Sequence, residues 1–358
     1  MAVRDYDAII VGASFAGLAV ARRLRGEVLL LDRNEVGTVQ TSACGTPLWI
    51  PRAFGVEESI LAVHDRLVVR SPTRTVVYDI SAVPFCTFDY EKFCRGLLDQ
   101  CRARFLRVGV TGVRNEAVVT MEGSFRAPVV VDCSGWRRVL INGGSVASPT
   151  NGFSFGLETR TGFSEDGLVL WLDDRVIPHG LGWIFPVGRG SLIGLGSYAG
   201  NTKLRPRLDR FLATMAEAPT TYHGTYFPNR MLRPTSGRIF AVGDAAGQCL
   251  PLTAEGIRPA LYFGEQCARI VQRIIDGALT VVDGLAHYRR LVGRYRWAYL
   301  QLGLGQLLAS GLPSRWFGGV AALANRSPLR EYWWPRYGNF GRSRDGQVMP
   351  ATSTAVVR

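Results

Sequence analysis

Twenty residues separate Gly12 from Asp32, and the stretch between them admits few folds. Tyr6 to Val11 is an apolar run of strand length. The turn Val11-Gly12-Ala13-Ser14-Phe15-Ala16-Gly17-Leu18 follows, Phe15 to Arg25 has helical spacing, and Glu27 to Asp32 is a second buried strand ending on an acid. Strand, glycine turn, helix, strand and acid in this order describe a βαβ unit, whose two strands must lie parallel in one sheet. In such a unit Gly12 permits the tight turn. The helix start at Ser14, Phe15 and Ala16 offers free backbone N–H groups and a positive dipole end to a pyrophosphate, and Gly17 lets the helix approach the sheet. Asp32, followed by Arg33, stands where a carboxylate accepts hydrogen bonds from ribose hydroxyls. Ser14 occupies the middle glycine position of a GxGxxG pattern; it is small, and its hydroxyl is within reach of a phosphate. The chain is expected to hold a dinucleotide.

At 358 residues and 47% apolar, the chain can bury a large core and accommodate more than one domain. Seven cysteines without a CxxC pair argue against a secreted disulfide framework, and no signal-like segment precedes the first strand, so a reduced, cytoplasmic protein is expected. The four histidines show no metal-ligand spacing, and no metal site is expected. The net charge of +13 comes almost wholly from arginine, since Lys92 and Lys203 are the only lysines. Arginines alternate with aromatics after residue 288, from Arg289 and Arg290 to Arg342 and Arg344. This pattern is either a solvated basic face or a surface for an acidic partner, nucleic acid or anionic lipid. It lacks the arrangement of an RRM, zinc-finger or OB module, so nucleic acid is not the expected partner. Trp297 to Leu312 is too short and too polar to span a bilayer and reads as an interfacial or core helix.

Further along, Asp89 to Arg104 has helical spacing, Val129 to Val131 reads as a strand, and Gly152 to Gly196 alternates apolar and aromatic positions as an inserted sheet would. Arg238 to Val242 reads as a strand returning to the first layer and Pro251 to Ile275 as a helix. A break is expected near Asp283 and Gly284, and Pro313 interrupts the mostly helical remainder.

The segment Arg238-Ile239-Phe240-Ala241-Val242-Gly243-Asp244-Ala245-Ala246-Gly247, followed by Pro251 and Gly256-Ile257, resembles the flavin motif of the family that includes aromatic hydroxylases and geranylgeranyl reductases. That resemblance implies FAD as cofactor, with Asp244 on the ribityl chain and Gly256 and Ile257 against the isoalloxazine ring. A helix N-terminus aimed there would stabilise the negative charge of reduced flavin. Asp132-Cys133-Ser134-Gly135 resembles the family's middle D-x-x-G turn, which closes the site around the dinucleotide, and Val110 is assigned to the same site. Two segments resemble the geranylgeranyl reductase branch: Ser42-Ala43-Cys44-Gly45, a CG turn beside the flavin, and Pro178-His179-Gly180-Leu181-Gly182-Trp183-Ile184-Phe185-Pro186 with Gly194-Leu195-Gly196, similar to a PxxYxWxFP...GxG motif. Leu181 stands for the motif's tyrosine, and Tyr90 replaces the basic residue of a DRxxF segment.

The resemblance implies an α/β fold: a Rossmann-type FAD-binding domain with an inserted antiparallel β-sheet substrate domain and a helical C-terminal region. The expected division is 1–80, 81–150 and 237–280 for the three FAD-binding parts, 151–236 for the inserted sheet and 281–358 for the helical region. Leu181, Trp183, Phe185 and Pro186 are expected to line a groove for an isoprenoid, although core packing explains them equally well. The implied reaction is hydride transfer from reduced FAD to an alkene of a geranylgeranyl-type lipid or prenylated quinone, the electrons coming from NAD(P)H or a ferredoxin as redox partner. No proton donor is evident. Cys44 is the reactive candidate beside the flavin, or else a small packing thiol. The rivals are a flavin monooxygenase acting on an apolar substrate, a halogenase, for which neither lysine lies in a suitable motif, and a non-catalytic flavin-bearing lipid binder. Attachment to the inner face of the cell membrane is expected, because polyprenyl substrates partition into lipid.

Overall fold

The computed structural model describes residues 4–143 and 152–342. Arg344 and the expected boundary between residues 150 and 151 lie outside this range. The helices are α1 (Phe15–Ala21), α2 (Trp49–Ala53), α3 (Tyr90–Leu98), α4 (Arg205–Ala213), α5 (Ile257–Ile275), α6 (Val281–Gly293), α7 (Arg296–Gly311), α8 (Phe317–Ala324) and α9 (Leu329–Gly338).

The βαβ start is present. Ala8–Val11 pairs parallel with Val28–Asp32 and with Val129–Asp132, in a six-stranded sheet that also holds Arg104–Arg107 and Ile239–Ala241. The inner strands are near-continuous apolar runs because both faces of the sheet are covered there, whereas the edge strand Arg104–Arg107 is exposed at both ends. Successive side chains point to opposite faces. Ala8, Ile10 and Leu30 join the core that contains α1 and α5, while Ile9, Val11 and Leu31 pack with Val118 of the small sheet over residues 110–126. The contact between α1 and α5 is tied by Glu265, whose buried carboxylate accepts from Arg22 at 2.8 Å and Arg23 at 2.5 Å.

The second layer is a seven-stranded sheet in the order 222–228, 153–161, 191–197, 180–186, 168–171, 66–70 and 75–79. It is antiparallel except where Leu168–Trp171 runs parallel to Arg66–Arg70. The strands Arg66–Arg70 and Thr75–Asp79 therefore belong to this sheet, although sequence order grouped them with the first FAD-binding part. One face of the sheet is covered by α4, which packs through Leu208, Phe211 and Leu212 onto Val169, Ile184, Ile193 and Leu195. The other face, carrying Val69, Val76, Tyr78 and Leu168, joins the main core. Helices α7 to α9 lie toward the strands at 66–79, where the Tyr78 hydroxyl donates to the Ala321 carbonyl at 2.6 Å and α8 contacts both strands.

Several expected boundaries move. The helix expected from Asp89 to Arg104 ends at Leu98; Asp89 is its N-cap and accepts from Lys92 N at 2.9 Å. The helix expected from Pro251 begins at Ile257, because the preceding residues turn back on themselves, Leu250 bridging Glu255 and Leu252 and Ala254 adopting positive φ. Asp283 and Gly284 do not break the chain. Thr280 caps α6 by accepting from Asp283 N at 3.1 Å, an acid in a first turn is stabilising, and Gly284 packs tightly on Ile274.

Candidate active site

A cavity of about 1600 Å³ runs between the two layers and under the C-terminal helices. At one end the Gly12 turn passes so close to the Cys133 carbonyl that any Cβ on Gly12 would overlap it, and Gly12 has φ +105°. The start of α1 thereby opens on the cavity through Ser14, Phe15 and Ala16. Asp32 accepts from Ala13 N and Asn34 N, each at 2.8 Å, which fixes its carboxylate at the turn; each oxygen retains a lone pair for a hydroxyl. Arg33, Val110, Gly135, Trp136 and Arg137 complete this end.

The Ser14 hydroxyl lies on the cavity wall and is positioned by a neighbouring side chain. It hydrogen-bonds the Tyr90 hydroxyl at 2.9 Å, and burial pushes that phenol's pKa up. The two departures from the family pattern, Ser14 for glycine and Tyr90 for a basic residue, thus contact each other.

The second half of the site comes from the turn after Ile239–Ala241. Gln248 holds it, accepting from Gly243 N at 2.7 Å and donating to the Tyr288 hydroxyl at 3.1 Å. Gly243, Asp244, Gly256 and Ile257 line the cavity, with Gly256 at the N-cap of α5. Among the described residues the Asp244 side chain has no hydrogen-bond partner, and burial raises its pKa to about 7. Nearby, Glu255 accepts through Oε2 from Arg258 and Tyr337, each at 2.6 Å, while its buried Oε1 has no partner. A cavity wall carrying unpaired carboxylate oxygens calls for a ligand rich in hydroxyl and N–H donors, as the ribityl chain and ring of FAD are. Two nucleotide-type cradles at one cavity therefore fit a dinucleotide flavin.

The two segments that resemble the reductase branch meet here. The Phe185 ring lies 3.0 Å from where a Cβ on Gly45 would stand. A Cβ on Gly194 would overlap the Trp183 indole, so the trailing GxG glycines are the space into which that ring lies. Trp183 Nε1 donates to Glu158 Oε2 at 3.0 Å; Glu158 Oε1 accepts from His223 Nε2 at 2.5 Å and Gln40 Nε2 at 3.3 Å. All four side chains line the cavity, where the buried Glu158 carboxylate is hydrogen-bonded to the half-buried His223 imidazole. Sequence offered no signal for it, because Glu158 and His223 meet only through pairing of strands distant in sequence, and Gln40 reaches them from a loop in a third segment.

Beyond Phe185 the cavity becomes apolar. Leu67, Val69, Leu168 and Leu170 of the sheet face Leu302, Leu308, Phe317 and Val320 of the C-terminal helices, and Trp333 and Trp334 also contribute. Leu181 is on the wall as well.

Five assigned residues are not on the wall. Gly17 is buried in α1 behind the turn. Asp132 is fully buried, accepting from Ser134 Oγ at 2.5 Å and Leu140 N at 3.0 Å, and so shapes the turn from behind. Pro251 belongs to the buried turn before α5, and the Pro186 carbonyl is used by Thr87 Oγ1. Cys44 is 1% exposed, its thiol donates to the Ser42 carbonyl at 3.3 Å, and burial pushes its pKa well above the usual thiol range. Reactive-thiolate chemistry at the cavity is therefore not assigned to Cys44; it is a packing thiol.

No family profile matches the chain. A digeranylgeranylglycerophospholipid reductase of Methanothermobacter thermautotrophicus is 26% identical over 338 residues, covering 82% of this chain and 83% of that protein. Among solved structures, a geranylgeranyl bacteriochlorophyll reductase-like protein of Thermoplasma acidophilum superposes with a TM-score of 0.83 at 17% identity, covering 94% of this chain and 96% of that one. The flavin-dependent brominase Bmp2 superposes with a TM-score of 0.70 at 16% identity, with 93% of each chain covered. At such identities the solved structures establish the fold.

Proposed function

We propose that the chain is a geranylgeranyl-reductase-like FAD-dependent oxidoreductase, a reading supported by its similarity to the digeranylgeranylglycerophospholipid reductases, and that it saturates C=C bonds of a geranylgeranyl-type lipid or prenylated quinone. One observation carries the choice of substrate: the cavity that holds the flavin cradle also takes in an apolar arm between the 66–70 and 168–171 strands and helices α7 and α8. A volume of about 1600 Å³ exceeds the roughly 300–1,000 Å³ of ordinary ligand pockets and leaves room for a chain beside the cofactor.

FAD would lie with its pyrophosphate at the start of α1, its ribose hydroxyls at Asp32 and its ribityl hydroxyls at Asp244. Bound there, it supplies the hydride. The remaining work falls to protein groups. The apolar arm excludes water and holds the alkene in place, which matters because an isolated alkene is a poor hydride acceptor. His223, hydrogen-bonded to Glu158, is the group that returns a proton to the second carbon and is recharged from solvent. The electrons would enter from NAD(P)H or a ferredoxin.

A halogenase using a catalytic lysine fits poorly, since Lys92 and Lys203 are both exposed and neither lines the cavity. The test is anaerobic: photoreduce the flavoprotein, add a geranylgeranyl lipid or prenylated quinone, and follow flavin reoxidation with the product mass. Reoxidation with two hydrogens gained per reduced bond is expected. A flavin that stays reduced until oxygen enters, yielding an oxygenated product, would instead identify a monooxygenase.

A further inference from the structure

We propose that the outward face of α7 and α8 docks onto an anionic lipid bilayer and sets the open end of the apolar arm at the membrane. Between Trp297 and Leu312 the chain has no charged residue. Tyr299 and Gln306 anchor α7 inward, the first donating to the Gln248 carbonyl at 2.6 Å and the second accepting from Leu252 N at 2.9 Å. The opposite stripe, Trp297, Leu300, Leu304 and Leu307, is 46–76% exposed and recurs at helical spacing. Eleven of the seventeen exposed large apolar residues among the described residues lie between 297 and 332. So concentrated an apolar face on a soluble surface marks something that covers it.

Two observations identify the occupant as a membrane. Leu308, Leu312 and Val320 are 64%, 41% and 56% exposed, yet they also line the cavity, so the arm opens within this face. A lipid chain can then pass from bilayer to cavity without crossing water. The face is also framed by positive charge: residues 281–342 hold nine arginines against Asp283 and Glu331, and exposed Arg296 and Arg315 bracket α7. Anionic headgroups complement that frame. In a symmetric dimer through the same face, arginines at both ends of α7 would meet those of the second copy. No helix among the described residues is long and apolar enough to cross a membrane, so α7 would lie in the plane of the interface.

The inference rests on the proposed lipid substrate for its purpose but not for its test. The FAD-loaded full-length protein would be floated with phosphatidylcholine vesicles and with vesicles enriched in phosphatidylglycerol, alongside a variant carrying Trp297→Gln, Leu304→Gln and Leu307→Gln. None of these three positions lines the cavity. The unaltered protein should float with the anionic vesicles at low salt and less at high salt. The variant should lose roughly tenfold or more in binding while keeping its flavin spectrum, melting midpoint and turnover of detergent-dispersed substrate. The proposal fails if the unaltered protein does not float, if the variant floats equally well, or if the substitutions only convert a dimer to a monomer. A protein that floats but never reduces a prenyl lipid would leave the docking face standing and overturn the reductase.

Discussion

Asp244 presents a carboxyl to the cavity with no protein donor to stabilise its charge, and this has a sign that can be checked. An acid whose pKa is higher in the folded chain than the unfolded value of about 3.9 stabilises the fold fully below that value. The contribution is lost as pH rises toward about 7, where the carboxylate must charge in place. Flavin-free protein should therefore lose denaturant resistance between about pH 4 and pH 7. Asp244→Asn should flatten that slope. Hydroxyl donors from FAD favour the ionised form, so flavin affinity should rise across the same window in the unaltered protein. In Asp244→Asn it should be weaker at neutral pH by roughly 10- to 100-fold, the size of one charge-assisted hydrogen bond. Titrating flavin fluorescence against pH measures both. The Ser14–Tyr90 pair is testable in the same way: a double-mutant cycle of Ser14→Gly and Tyr90→Phe in urea should show a coupling energy of about 0.5–1.5 kcal/mol, and strict additivity would remove the claim that the two departures compensate. Each residue was visible in sequence as a departure. Their contact was not, because it joins the first turn to a helix 76 residues later.

Among elements, the βαβ start and the strand before Gly243 were legible because local rules decide them: a Gly turn, a continuous apolar run and a terminal acid leave one arrangement. The second sheet was less legible. Arg66–Arg70 joins it through a parallel pairing with residues a hundred positions downstream, and no local pattern encodes that partner. Nor could periodicity show why glycines trail the Trp183 motif. Trp183 on one strand fills the space that Gly194 leaves on its neighbour, and its indole N–H reaches Glu158 on the strand beyond. Gly194→Val should force the indole out of that space, destabilise the fold by about 1–3 kcal/mol as overpacking does, and shift Trp183 emission. An unchanged emission in Gly194→Val would show that the indole lies elsewhere.

Across the whole molecule, the cavity wall is assembled from residues as far apart as Val11 and Tyr337, and the C-terminal helices, which carried no motif, supply one side of its apolar arm. That contribution escaped sequence analysis because an apolar face toward a cavity and an apolar face toward a core have the same spacing. It also yields a prediction that separates the two ends of the site. Gly305 faces the cavity from α7, and a Cβ there would make ordinary contact with Leu252 at 3.4 Å, so a side chain can be accommodated without backbone strain. Gly305→Phe places a ring in the arm while leaving Gly12, Asp32 and Asp244 untouched, and a glycine replaced within a helix gains helical propensity. The variant should bind FAD in full and melt no lower than the unaltered protein. Its reduced flavin should be reoxidised much more slowly by a four-isoprene chain than by a two-isoprene chain, because the longer chain needs the length of arm that the ring occupies. Unchanged rates for both chains with FAD retained would place the substrate outside the arm, and loss of FAD would mean that arm and cradle are one compartment.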